Sequence, residues 1–143
     1  VNVKIINPSG VDASGREWGL LRMGEVPLQP LDAFLNRVKK LLGCEGLRYV
    51  NSSETVQKVA VGGGSCAGAI HEVAAAGCDT FVTADVKYNQ FRTAFELGIN
   101  LIDAGHFHTE NPIVAVLAEK LQKQFPQAEV KISESHRDCM KYY

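Results

Sequence analysis

Several signals are missing from this 143-residue chain, and each absence narrows what it can be. There is no excess of positive charge: 15 basic residues stand against 16 acidic ones, for a net charge of −1. Proteins that grip a nucleic-acid phosphate backbone normally carry a basic patch, so the balance argues against nucleic acid as a partner. There is no long apolar run, and the mean hydropathy is near zero, so neither a membrane span nor a membrane partner is expected. An apolar share of 45% in turn argues against disorder. No charged start followed by an apolar stretch opens the sequence, so no secretory leader is expected. The four cysteines, Cys44, Cys66, Cys78 and Cys139, are scattered without a CxxC pair or disulfide-framework spacing. Reduced, mostly buried thiols in a cytoplasmic protein are the expectation. Cys66 follows a glycine run at a helix start, where a thiol pKa can fall, but the structural reading is preferred. Solenoid repeats and low-complexity tracts are absent as well.

What is present reads as one α/β domain with a proper core. Residues 1–17 are turn-rich and read as a linker or the tail of an upstream region, leaving 18–143 as the folded lobe. Trp18 to Val26 reads as a strand closed off by Pro27 and Pro30. Leu31, Phe34, Leu35, Val38, Leu41 and Leu42 recur at helical spacing, and Gly43 stops that helix. Leu47 to Val50 is a short strand and Asn51 to Glu54 a polar turn. A regular alternation follows: a strand at Lys58–Val61, a helix at Cys66–Ala76, and a strand at Thr80–Thr83. It continues with a helix from about Val86 to Leu97, a strand at Ile99–Ile102, a helix from about Glu110 to Phe125 and a final strand at Glu129–Ile132. Repeated strand–loop–helix units predict βαβ crossovers and a three-layer lobe, a mainly parallel sheet flanked by helices.

Three strand-end loops carry polar groups, and in open α/β sheets that edge is where ligands bind. The most informative is NLIDAGHFHTE, Asn100 to Glu110, in which His106, His108 and Glu110 crowd a strand-to-helix turn. Imidazole with carboxylate is a donor set suited to zinc, iron, nickel or manganese. In TADVKYNQF, Asp85 either caps the following helix or joins a site, and the two are not exclusive. The loop Gly62 to Ser65 opens a helix, so the amides of Gly63, Gly64 and Ser65 could cradle an anion. It lacks both the GKS/T ending of a phosphate loop and the GxGxxG spacing of a dinucleotide fingerprint, and tight helix–strand packing explains its glycines equally well. His71 reads as a surface residue inside an Ala-rich helix, and nothing near His136 suggests ligation.

In this order and separation, KVAVGGGS, GCDTFVTADVKY and GINLIDAGHFHTE resemble the C-terminal lobe of the NIF-three-like family, whose members are often named GTP cyclohydrolase I type 2 homologues. The resemblance runs from about Trp18 to the end, with WGLLRMGEVP and LRYV included. It implies one half of a two-lobe α/β protein binding a dinuclear metal centre, two divalent ions per intact subunit, and assembling as a toroidal homohexamer. It implies that His106 and Glu110 are metal ligands, with His108 in the variable interval between them. The family's remaining ligands, a His–His pair and an aspartate, have no counterpart pair of adjacent histidines here, so the site is incomplete in this chain. Ala84 and Asn89 depart from the family's frequent glycine and histidine.

Two functions follow as expectations. The first is a metal-dependent hydrolase of a nucleotide-like or phosphorylated small molecule, with Asp85 as general base or ligand-orienting group. The second is a non-enzymatic metal-binding scaffold or interaction module.

Overall fold

The computed structural model describes residues 2–143. Its centre is a six-stranded sheet, built from β1 (Lys4–Ile6), β4 (Leu21–Pro30), β6 (Thr55–Val61), β7 (Thr80–Thr83), β8 (Asn100–Asp103) and β5 (Arg48–Val50), in that spatial order. A two-residue hairpin, β2 (Gly10–Val11) with β3 (Glu17–Trp18), stands apart from it. The helices are α1 (Leu31–Leu42), α2 (Ile70–Ala75, entered through a 3-10 turn at Ala67–Ala69), α3 (Tyr88–Glu96), α4 (His106–Glu110) and α5 (Pro112–Gln124).

Every residue of β7 and β8 is buried, as expected of central strands covered on both faces. Alternation then sorts the side chains into two layers. Ala60, Phe81 and Leu101 lie in register across β6, β7 and β8 and pack under α2 and α3, with Ile70, Val73 and Ala94. One residue on, Val82 and Ile102 point the other way and meet Leu31, Phe34, Leu35 and Val38 of α1. Helices therefore cover both faces, giving the three-layer α/β arrangement. Helix α1 has the bounds its periodicity predicts and ends where Gly43 takes φ +66°.

The structure corrects several expectations. The sheet is mixed rather than mainly parallel: β6–β7 and β7–β8 are parallel, but β1–β4, β4–β6 and β5–β8 are antiparallel. Only the two βαβ crossovers force parallel neighbours, and the outer strands have other connections. Residues 4–6, within the stretch expected to be a linker, pair with β4 and extend the sheet. Pro30 is the last residue of β4, but Pro27 does not close it. The pairing with β6 shifts register between Glu25 and Gln29, and that irregularity absorbs Pro27, which has no amide to give. Glu129 to Ile132 forms no strand. The Gln122 side chain donates to the Ala128 carbonyl and accepts from the Val130 amide, satisfying two groups a ladder would have used. The last helix, α5, opens at Pro112, close to the expected start. A separate short helix not expected from the sequence, α4, precedes it from His106, with a break at Asn111. No helix among the described residues is long and apolar enough to cross a membrane.

Candidate metal centre

The parallel strands β6, β7 and β8 end along one edge, and the loops leaving them converge. After β7 the chain turns at Asp85, which takes the left-handed φ of +54°. Asparagine and aspartate tolerate that conformation better than other non-glycine residues, at a cost of about 1 kcal/mol or more. After β8 it turns at Gly105, φ +79°, straight into α4. Because α4 starts at His106, His106 and Glu110 lie one helical turn apart on the same face.

His106 is held between two carboxylates. Its Nδ1 lies 2.6 Å from Asp85 Oδ2, and its Nε2 lies 3.1 Å from Glu110 Oε2. All three side chains are about half exposed. The Asp85 hydrogen bond, reinforced by the charge of Glu110, holds the imidazole above its ordinary pKa, against a smaller opposing effect of burial. Carboxylate oxygens only accept, so Nδ1 must donate to Asp85. Asp85 is thus engaged with His106 and does not cap α3: that helix is capped at Lys87, whose amide donates to Gln90.

His108, one of the three crowded candidates, faces away. Its Nδ1 meets the Leu42 carbonyl at 3.2 Å and its Nε2 meets Asp138 at 3.2 Å. His136 stacks near Phe107, with ring centroids 5.1 Å apart, and His71 is exposed on α2. Asp85, His106 and Glu110 form one wall of a cleft of about 540 Å³, and Phe107, Ile113 and Met140 supply apolar surface beside them.

In the glycine loop, where an anion cradle is expected at Gly63, Gly64 and Ser65, one of the three amides is already engaged. The Gly64 amide donates to Thr109 Oγ1 at 3.0 Å, and its carbonyl accepts from Cys66, Ala84 and the Thr83 hydroxyl. A methyl group at Gly64 would sit 2.4 Å from Glu110 Oε1, and one at Gly63 3.2 Å from the Thr109 carbonyl. These glycines let α4 approach the sheet edge. Glu110 and the His106 ring both lie against Gly64. Burial, with Glu110 nearby, pushes the Cys66 thiol up, so Cys66 is no activated thiolate.

Two residues were missed from the sequence. Thr109 ties α4 to the glycine loop, and Asp103 is a buried carboxylate at the end of β8. Asp103 Oδ2 accepts from the Val86 amide at 3.0 Å and from Arg48, while Oδ1 accepts from the Gly105 amide at 3.1 Å. An aspartate closing an apolar strand was the only signal for it in the sequence.

The donor set can be tested against a divalent ion. Two ligands about 2.0–2.2 Å from one ion stand roughly 3 Å apart, as Nε2 and the Glu110 oxygen do. Asp85 on the far nitrogen completes a carboxylate–histidine–metal arrangement, the usual way a ligating imidazole is oriented. The residues fit an ion, but only as a partial set. Among the described residues, no three His, Cys, Asp or Glu side chains are grouped so as to hold a metal by themselves.

Fold and edge together define an α/β domain that presents an oriented histidine and a glutamate at the ends of parallel strands. Residues 2–139 match the family described as Duf34/NIF3 (NGG1p interacting factor 3), and the chain belongs to that family. A GTP cyclohydrolase 1 type 2 homolog of Deinococcus radiodurans is 40% identical over 121 residues, covering 84% of this chain and 45% of the relative. One from Clostridium perfringens is 28% identical over 141 residues, covering 96% and 53%. Among solved structures, a Bacillus cereus protein related to NIF3 superposes with a TM-score of 0.77 at 29% identity, covering 90% of this chain and 37% of that one. The chain spans about half the length of the curated relatives it matches.

Proposed function

We propose that this chain supplies half of a divalent-metal centre, with His106 Nε2 and Glu110 as ligands and Asp85 orienting the imidazole. The observation that carries the reading is the environment of Nε2. With one ring proton held on Nδ1 by Asp85, Nε2 of the neutral ring is an acceptor and faces a carboxylate oxygen 3.1 Å away. Two acceptors at that distance need a cation between them, either a second proton or a metal. The remaining ligands come from outside these 143 residues, and zinc, iron, nickel and manganese all suit the donors. A bound ion, or a pair of them, would supply Lewis acidity and an activated water, so the whole protein is read as a hydrolase of a phosphorylated or nucleotide-like small molecule. Here Asp85 would keep the proton on Nδ1, Glu110 would balance the ion's charge, and the apolar wall of the cleft would limit water. A ring of copies facing an internal cavity and a cytoplasmic setting complete the proposal. The four unpaired cysteines fit a reducing compartment.

Calorimetric titration with zinc tests the ligand assignment. His106→Ala and Glu110→Gln are each expected to weaken binding by about tenfold or more. Unchanged affinity in both variants would overturn it. For the hydrolase reading, phosphatase-type substrates are screened with and without chelator. Turnover that survives both chelation and His106→Ala would contradict it.

A further inference from the structure

Asp103 has no part in the proposal above, yet its two oxygens reach the two loops that build the site. Oδ2 takes the amide of Val86, the residue after Asp85, and Oδ1 takes the amide of Gly105, the residue before His106. Arg48, from the antiparallel edge strand β5, also donates to Oδ2 and to the Val86 carbonyl at 3.1 Å, so Val86 is held through both its amide and its carbonyl. The Arg48 guanidinium lies over the Phe91 ring of α3, with its carbon 5.7 Å from the centroid. Asp103 itself is 5% exposed. Burying a carboxylate is costly unless its lone pairs are used, and here both oxygens are.

We propose that Asp103 is a positioning residue: it fixes the separation of the Asp85 and His106 loops, and so decides which nitrogen of His106 carries the ring proton. The geometry requires a carboxylate. An amide at this position accepts on one side only and presents hydrogens on the other. Whichever way Asp103→Asn turns, one loop amide meets a donor and loses its partner. Either the Asp85 loop or the His106 loop is then released. Asp85 must stay at 2.6 Å from Nδ1 to hold the proton there. Once that contact loosens, the neutral imidazole takes the Nε2–H form that free imidazoles favour, with Glu110 waiting to accept. That form has no Nε2 lone pair to offer.

The inference rests on the metal-centre reading for its purpose, but its test does not need metal. Nitrogen-15 NMR of the His106 ring is recorded on metal-free protein at alkaline pH, where the imidazole is neutral. The wild type should show mainly the Nδ1–H form. In Asp103→Asn the balance should move severalfold toward Nε2–H, and Asp85→Asn should shift it the same way. Leu101→Ala, which hollows the core beside Asp103, serves as the stability control: it should lower the melting temperature and leave the tautomer as it is. A folded Asp103→Asn protein that keeps the wild-type tautomer would overturn the proposal. So would a Leu101→Ala protein that shifts as far as Asp103→Asn. Zinc titration of the same samples should show about tenfold weaker binding in Asp103→Asn. If the whole protein, with the ligands from beyond these residues, binds no zinc while the tautomers behave as stated, the metal reading fails and the positioning role stands.

Discussion

At the scale of the residue, His106 is the group whose state everything else reads. Asp85 raises its affinity for a proton, and Glu110 adds to the effect. Proton and metal compete for Nε2, so metal binding should weaken as pH falls through the elevated pKa of His106, and each ion bound near that pH should release a fraction of a proton. Calorimetry in buffers of different ionisation enthalpy measures that release; a binding constant flat across this range would contradict it. For folding without metal the sign is opposite. A raised folded-state pKa means the imidazolium's contribution to stability is complete below the unfolded value and is lost as pH rises through the folded one. Gly64 carries the second prediction. Gly64→Ala must adopt φ +64° and place a methyl 2.4 Å from Glu110 Oε1, whereas Gly43→Ala meets comparable strain at φ +66° in open space. Both should lose about 1–3 kcal/mol in thermal denaturation, but only Gly64→Ala should also weaken zinc binding. The juxtaposition of His106 and Glu110 was legible because an imidazole and a carboxylate spaced by four residues share a helix face. Asp103 and Thr109 were not, because their roles lie in which backbone amides the fold brings to them.

At the scale of the element, the helices with buried faces were readable and the boundaries set by long-range partners were not. Four inward residues at helical spacing placed α1, and Gly43 ended it. The start of α4 depended on Gly105 accepting a positive φ immediately after β8. Nothing local distinguishes that from a loop running on to Thr109. Pro27 was read as a terminator, but a register shift in a partner strand made room for it. Helix α5 has no buried residue, and Ile113, Val116, Leu117 and Leu121 are exposed along it. Its contribution to the stability of this chain should accordingly be small. Leu117→Ala should change unfolding free energy by no more than about 0.5 kcal/mol, whereas Leu101→Ala, fully buried in β8, should cost about 2–5 kcal/mol. Urea denaturation of the two variants side by side decides it, and comparable losses would mean α5 is packed more firmly than its exposure indicates.

At the scale of the whole molecule, the α/β class followed from the alternation of apolar strand runs and amphipathic helices after Lys58. The two parallel pairings sit where those βαβ units are. The antiparallel flanks were beyond sequence reasoning, since β4 and β5 pair with strands far along the chain and β1 lies in a turn-rich stretch, and such partners leave no periodic trace. The chain belongs to a family whose matched relatives are about twice its length, and its edge offers two donors where a tetrahedral ion takes four. Both facts favour a centre finished by groups beyond these residues.

X-ray absorption at the zinc edge, on protein loaded with one equivalent of zinc, tests the account most directly. The expected spectrum shows nitrogen and oxygen neighbours at about 2.0–2.2 Å with the outer-shell scattering of an imidazole, and His106→Ala should remove the imidazole signal. A sulfur shell, or an imidazole signal that persists in His106→Ala, would contradict it.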